Sequence, residues 1–225
     1  MYKIRVILFF LLIFLAAFLF GQDIITADRL LELVSDHYAG MRDFEANVII
    51  RSGTTEMAGN LSHLSPSFLR IDFTRPAEQV IVFNSEALII YDPSMRAIMT
   101  QSLNRNRRGN PGGGSRGLSL LRNNYVASFV TGPNPEPLDP GSSERVIKLR
   151  LTRRSVSEGY REIIVSINPD TRLIRRMEGT TVAGGEVRFD FNNIRINQGI
   201  PEQRFLYDTP PNANMYHNFL FRDVD

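Results

Sequence analysis

The chain has 225 residues, no Cys, no Trp and a formal net charge of +2, from 26 basic and 24 acidic side chains. Lys3 and Arg5 account for the surplus, so the rest is formally neutral, which argues against a generic polyanion binder that must release counterions. The lack of cysteine removes disulfide scaffolds, thiol nucleophiles and Cys-ligated zinc or iron–sulfur centres.

The first segment reads as an address. A basic start, Met1-Tyr-Lys-Ile-Arg5, leads into an unbroken apolar run over 6–20, the n-region and h-region of a secretory signal peptide covering 1–21. As a helix, that run spans roughly 22 Å, short of the ~30 Å hydrocarbon core. Cleavage after Gly21 would release 22–225 as a single domain, with an uncleaved anchor as the alternative. Roughly 200 residues are enough for one sizeable core. The expected destination is the periplasm.

The remainder reads as one short helix and many strands. Thr26 can cap a helix to about residue 38, with Leu30, Val34 and Tyr38 on one stripe and Gly40 ending it. Period-two segments follow over 44–50, 60–64 and 68–73, and in the last Leu69, Ile71 and Phe73 alternate with Arg70 and Asp72. Segments 79–83 and 87–91 form a hairpin across Asn84-Ser85-Glu86, and 97–101 pairs back after the turn at Asp92-Pro93-Ser94. The stretch 104–117 is rich in Arg, Asn and Gly and cannot bury a core. Residues 117–130 then read as a helix with Leu118, Leu121, Tyr125 and Phe129 on one side. Strands resume over 145–152, 160–167, 173–179 and 186–196, with a turn at Asn168-Pro-Asp-Thr171. The order predicts a mainly β, α+β chain: an antiparallel sheet curling over helices.

Chemistry-bearing motifs are few. Gly113-Gly-Ser115-Arg-Gly117 spells G-x-S-x-G, but a nucleophile elbow needs a strand before the serine, and here the approach is Asn-Pro-Gly-Gly-Gly. We therefore expect a linker and no enzyme, with a hydrolase as a distant reading. His37, His63 and His217 are far apart and lack an i, i+4 pairing, so neither a metal nor another cofactor is expected. Between Pro93 and Pro135 lie six arginines and no acid, among them Arg105, Arg107, Arg108 and Arg116. The plain reading is a solvated loop; the sharper one is a docking arm for anionic headgroups or an acidic partner. Nucleic acid fits least, because aromatics are not interleaved.

The run Leu64-Ser-Pro66-Ser-Phe-Leu-Arg-Ile-Asp-Phe73, followed by Gln79-Val-Ile-Val-Phe-Asn84-Ser-Glu-Ala-Leu-Ile-Ile-Tyr91-Asp-Pro93, resembles the LolA family of lipoprotein carriers. The closing stretch Phe191-Asn-Asn-Ile-Arg-Ile to Phe205-Leu-Tyr-Asp-Thr-Pro210-Pro and the opening Met41-Arg-Asp-Phe44-Glu-Ala are similar to it too. The resemblance implies a curved, unclosed antiparallel half-barrel with a helical lid, whose apolar cavity shields acyl chains of lipoproteins between inner and outer membranes. It implies partners: acylated lipoproteins, an inner-membrane releasing transporter, an outer-membrane acceptor and transient membrane contact. By position, Leu69, Ile71, Phe73, Val80, Val82, Ile89 and Tyr91 would line the cavity, and Leu118, Leu121, Tyr125 and Phe129 the lid. The family arginine before the proline is Ser65 here and the hairpin glycine is Ser85. The competing expectation is an exported interaction or sensor module with a filled barrel.

Overall fold

The computed structural model describes residues 25–84, 86–102 and 115–219, with only the backbone for Ser115 and Arg116. The signal segment 1–21 and Arg105, Arg107 and Arg108 lie outside the described residues, as does the side chain of Arg116.

Helix α1, Ala27–Ala39, starts where Thr26 Oγ1 accepts from Arg29 N–H at 3.2 Å and stops at Gly40. Its buried stripe is Ala27, Leu30, Leu31, Val34 and Tyr38, at the spacing the sequence predicts. Then come β1 Asp43–Ser52, β2 Thr55–Leu64, β3 Phe68–Arg75, β4 Ala77–Asn84, β5 Ala87–Asp92 and β6 Ala97–Ser102. Helix α2, Ser115–Asn124, leads directly into β7, Tyr125–Phe129. After β8 Glu136–Pro137 follow β9 Arg145–Arg153, β10 Tyr160–Ile167, β11 Ile174–Thr181 and β12 Glu186–Ile196. A 3-10 turn at Glu202–Phe205 and the short β13, Asn214–His217, end the described chain.

The main path runs β13-β6-β5-β4-β3-β2-β1-β12-β11-β10-β9-β7, with β8 paired to β9. Its neighbours are antiparallel except β6 and β13, which run parallel. The sheet is not closed into a barrel, as expected of a half-barrel with helices. The turn at Asn168 forms as read: its Oδ1 accepts from the N–H groups of Asp170 and Thr171 at 3.0 and 2.9 Å. Gly59 marks a slip between β2 and β3, where a Cβ would come within 2.6 Å of the Asp72 carbonyl oxygen.

One expected helix is corrected. Only the first part of 117–130 is helical, because Asn123-Asn124 ends α2; Tyr125 and Phe129 belong to β7. Their spacing of four fits a helix, but Tyr125, Ala127 and Phe129 also alternate with exposed Val126 and Ser128.

Candidate functional site

Strand register assigns each side chain to a face. Ala46, Leu61, Ile71, Ile81, Ile90 and Met99 stand opposite one another across β1 to β6 and form one row. The next row on that face is Phe44, His63, Leu69, Phe83, Leu88 and Gln101. We call this the inner face, because α1 packs on its continuation across β7, β9 and β10.

The inner face has two halves of different construction. In the closed half, the α1 stripe, Met41 and Leu118 of α2 meet Ala127, Leu149, Leu151, Val165 and Ile167 in one buried cluster. Tyr38 ties the helix to the sheet: its phenol oxygen accepts from the Ile174 N–H at 3.0 Å, and burial raises its pKa to about 12. In the open half, Val48, Ile50, Leu61, Ile71 and Phe73 form a second cluster built from strand residues alone. Its rim is the partly buried Met57, Leu69, Ile81, Val187, Phe189 and Phe191. Among the described residues no helix side chain joins this second cluster.

The seven expected cavity residues do not share a face. Leu69, Ile71 and Phe73 lie on the inner face, in the open half. Val80, Val82, Ile89 and Tyr91 lie on the outer face, because Ile71 pairs with Ile81, which puts Val80 opposite Asp72 and Val82 opposite Arg70. The inner positions of β4 and β5 are Ile81, Phe83, Leu88 and Ile90 instead.

Outer positions of β3 to β5 are covered by the chain after β12. Arg70 donates to the carbonyls of Arg204 and Leu206 at 3.1 and 3.0 Å and pairs with Asp72 at 2.8 Å; Arg204 pairs with Asp72 as well. Phe205, fully buried, lies 5.5 Å from the Phe68 ring, and Tyr207 lies 6.1 Å from Tyr91. This strap lies over outer positions of β3 to β5, where Val82 is fully buried.

The expected lid residues are placed differently too. Leu118 is buried in the closed half, with Leu121, Tyr125 and Phe129 packed in or against the same cluster. The helices as described therefore cover β7, β9 and β10 rather than the open half.

Buried polar side chains lie on β1 and β2. Asp43, with no side-chain exposure, accepts from the N–H groups of Gln198 and Gly199 at 2.6 and 3.0 Å and from Arg42 at 3.3 Å. Burial alone would raise its pKa, but these donors hold it below the usual carboxylate range. His63 stacks on Phe44 at 4.9 Å, is 1% exposed, and among the described residues has no hydrogen-bond partner at either ring nitrogen. Burial pushes its pKa down to about 4, against a smaller opposing pull from Asp43. Sequence reading treated His63 as one of three scattered histidines; its position in the period-two run of β2 was the available signal. Phe189 and Phe191 also went unassigned, although they alternate with Arg188 and Asp190.

Two hollows lie elsewhere. One of about 430 Å³ is lined by Thr26, Asp28, Arg29, Leu31, Glu32, Arg122 and Asn123, and one of about 280 Å³ lies by Phe68, Phe205 and Leu206 of the strap. Among the described residues no cluster of His, Asp and Glu could hold a metal, and no helix is long and apolar enough to cross a membrane.

The LolA family model, described as outer membrane lipoprotein carrier protein LolA, matches residues 44–114. An outer-membrane lipoprotein carrier protein of Pseudomonas paraeruginosa is 23% identical over 215 residues, covering 90% of this chain and 96% of its own. One from Bordetella avium is 22% identical over 190 residues, covering 84% and 85%. Among solved structures, an uncharacterized conserved protein from Thermus thermophilus superposes with a TM-score of 0.56 at 13% identity, over 85% of this chain and 98% of its own. A chain of the Pseudomonas aeruginosa MucA/MucB complex superposes at 0.50 and 14% identity, over 81% and 61%. At these identities the structures bear on the fold alone.

Proposed function

We propose that this LolA-like chain is a periplasmic carrier whose open inner half shields the acyl chains of lipoproteins in transit between membranes, with no chemistry on the cargo. Residues 1–21 act as the export signal and 22–225 as one carrier domain. The observation that carries this reading is the second cluster: an apolar surface on β1 to β4 and β12 that no described helix covers. Each CH₂ of an acyl chain exposed to water costs about 0.8 kcal/mol, so a multi-acyl anchor needs such a surface to leave a membrane. Leu69, Ile71 and Phe73 keep their assigned role, joined by Met57, Ile81 and Phe189. Val80, Val82, Ile89 and Tyr91 leave it. A releasing transporter and an acceptor are the partners this role requires, and the arginine stretch with Arg105, Arg107, Arg108 and Arg116 is the assigned docking arm.

Uptake of a fluorescent acyl probe by the folded protein tests this. Leu69→Glu and Ile81→Glu, each placing a carboxylate on the inner face, should weaken uptake about tenfold or more. Ile89→Glu, on the outer face, should leave it unchanged. A folded wild-type protein that takes up no probe overturns the carrier reading and favours the interaction module. For that module the exposed Met215 and Tyr216 of the edge strand β13 are the natural contact.

A further inference from the structure

His63 stands out among the inner positions of β2, where its neighbours Leu61 and Met57 are apolar. It faces Phe44 on one side and Leu69 on the other. Phe44 packs against both buried clusters and Leu69 against the open one, so the imidazole sits at the seam between them. A buried polar ring with both nitrogens unpartnered is rare in native structures and points to a partner outside the protein. Asp43, the carboxylate whose charge acts on the ring, is already committed to Gln198, Gly199 and Arg42.

We infer that His63 anchors the carbonyl-bearing linkage of an acyl chain, donating its ring N–H to an ester or amide oxygen of a lipid seated on the open half. The inference rests on the carrier reading and narrows its ligand. A neutral imidazole offers one donor and one acceptor, which suits an uncharged carbonyl. A free fatty-acid carboxylate would instead be buried among apolar groups without a cation, so it is the wrong head for this seat. Entry needs a side-chain displacement, and the two facing walls, Phe44 and Leu69, are both only half-buried.

The test compares 1-palmitoylglycerol, its ether analogue 1-O-hexadecylglycerol and palmitate, each displacing a bound fluorescent alkyl probe. Wild-type protein should prefer the ester to the ether by about three- to tenfold, the scale of one hydrogen bond, and bind palmitate worst. His63→Leu should bind ester and ether alike, and His63→Gln should restore part of the preference. Should the leucine variant fail to fold, the ¹⁵N shift of the His63 ring in the wild-type protein, with ester and with ether, decides the matter. Equal binding of both lipids by wild-type protein, a preference that survives His63→Leu, or a ring signal that ignores the ester overturns the role of His63 alone. No binding of any lipid overturns the carrier reading and this inference with it.

Discussion

One sheet carries two kinds of inner surface. Over β7, β9 and β10 the strands meet α1, and Leu149, Leu151, Val165 and Ile167 are fully buried. Over β1 to β4 and β12 the buried cluster is built from strand residues alone, with Tyr38 of α1 reaching Phe44 at its edge, and the rim residues Leu69, Ile81 and Phe189 remain partly accessible. The reason is dimensional. A 13-residue helix is about 20 Å long and about 10 Å across, so it spans two or three strands at ~4.8 Å spacing. The main path of this sheet is far wider, so period-two alternation keeps supplying apolar residues where the helix can no longer reach. The first half carries the helix-to-sheet packing, and the second leaves part of its apolar rim accessible.

The largest effect that tests this contrast is on stability. Leu151→Ala should lower the unfolding free energy by about 3 kcal/mol through lost burial and the cavity left behind. Leu69→Ala, at the open rim, should cost under about 1 kcal/mol. Chemical denaturation of both variants decides it. Equal losses would mean that the open half is covered in solution.

Acid should act on the seam between the halves. The folded pKa of His63 lies near 4, below its ordinary 6.5, so folding favours the neutral ring. Its contribution is therefore complete above about 6.5 and is lost as pH falls towards 4, a decline of roughly 3 kcal/mol. The lowered pKa of Asp43 also draws stability down, but below the usual carboxylate range. Unfolding curves of wild-type protein and His63→Phe across this window should differ in slope between the two His63 values and converge in slope above them. Parallel curves would show that the ring is solvated or paired.

The same contrast explains what the sequence made legible. In β3, Arg70 and Asp72 interrupt Leu69, Ile71 and Phe73, so one face is marked by polarity, and the strand was read correctly. In β4 and β5 the runs Val80-Ile-Val-Phe83 and Leu88-Ile-Ile-Tyr91 are apolar at every position, because the strap buries one face and the open half uses the other. Composition then cannot say which residues share the face of Ile71. The register slip between Asp72 and Thr74 settles it, and a slip is a property of pairing that no single strand displays. The strap itself was visible only through family resemblance in 191–211, since β13 shows no alternation, with all four residues exposed. Arg70 was read onto the face opposite Ile71 by parity, and that is where it holds the strap.

The smallest expected effect tests whether α2 belongs wholly to the closed half. Arg122 reaches Glu32 of α1 at 3.0 Å, and Glu32 also pairs with Arg29, a pairing that lowers its pKa. Both ends of the Arg122–Glu32 pair are about one third exposed, so solvent screens it and Arg122→Ala should shift the melting temperature by no more than about 2 °C. Leu118 of the same helix is buried in the closed cluster by apolar contacts that do not involve the pair. Acyl-probe uptake should therefore be the same in wild-type protein and Arg122→Ala. Faster uptake by the variant would mean that α2 swings as a lid over the open half and that the ion pair is its latch; the boundary between the two halves would then move with the helix rather than stay fixed by the sheet.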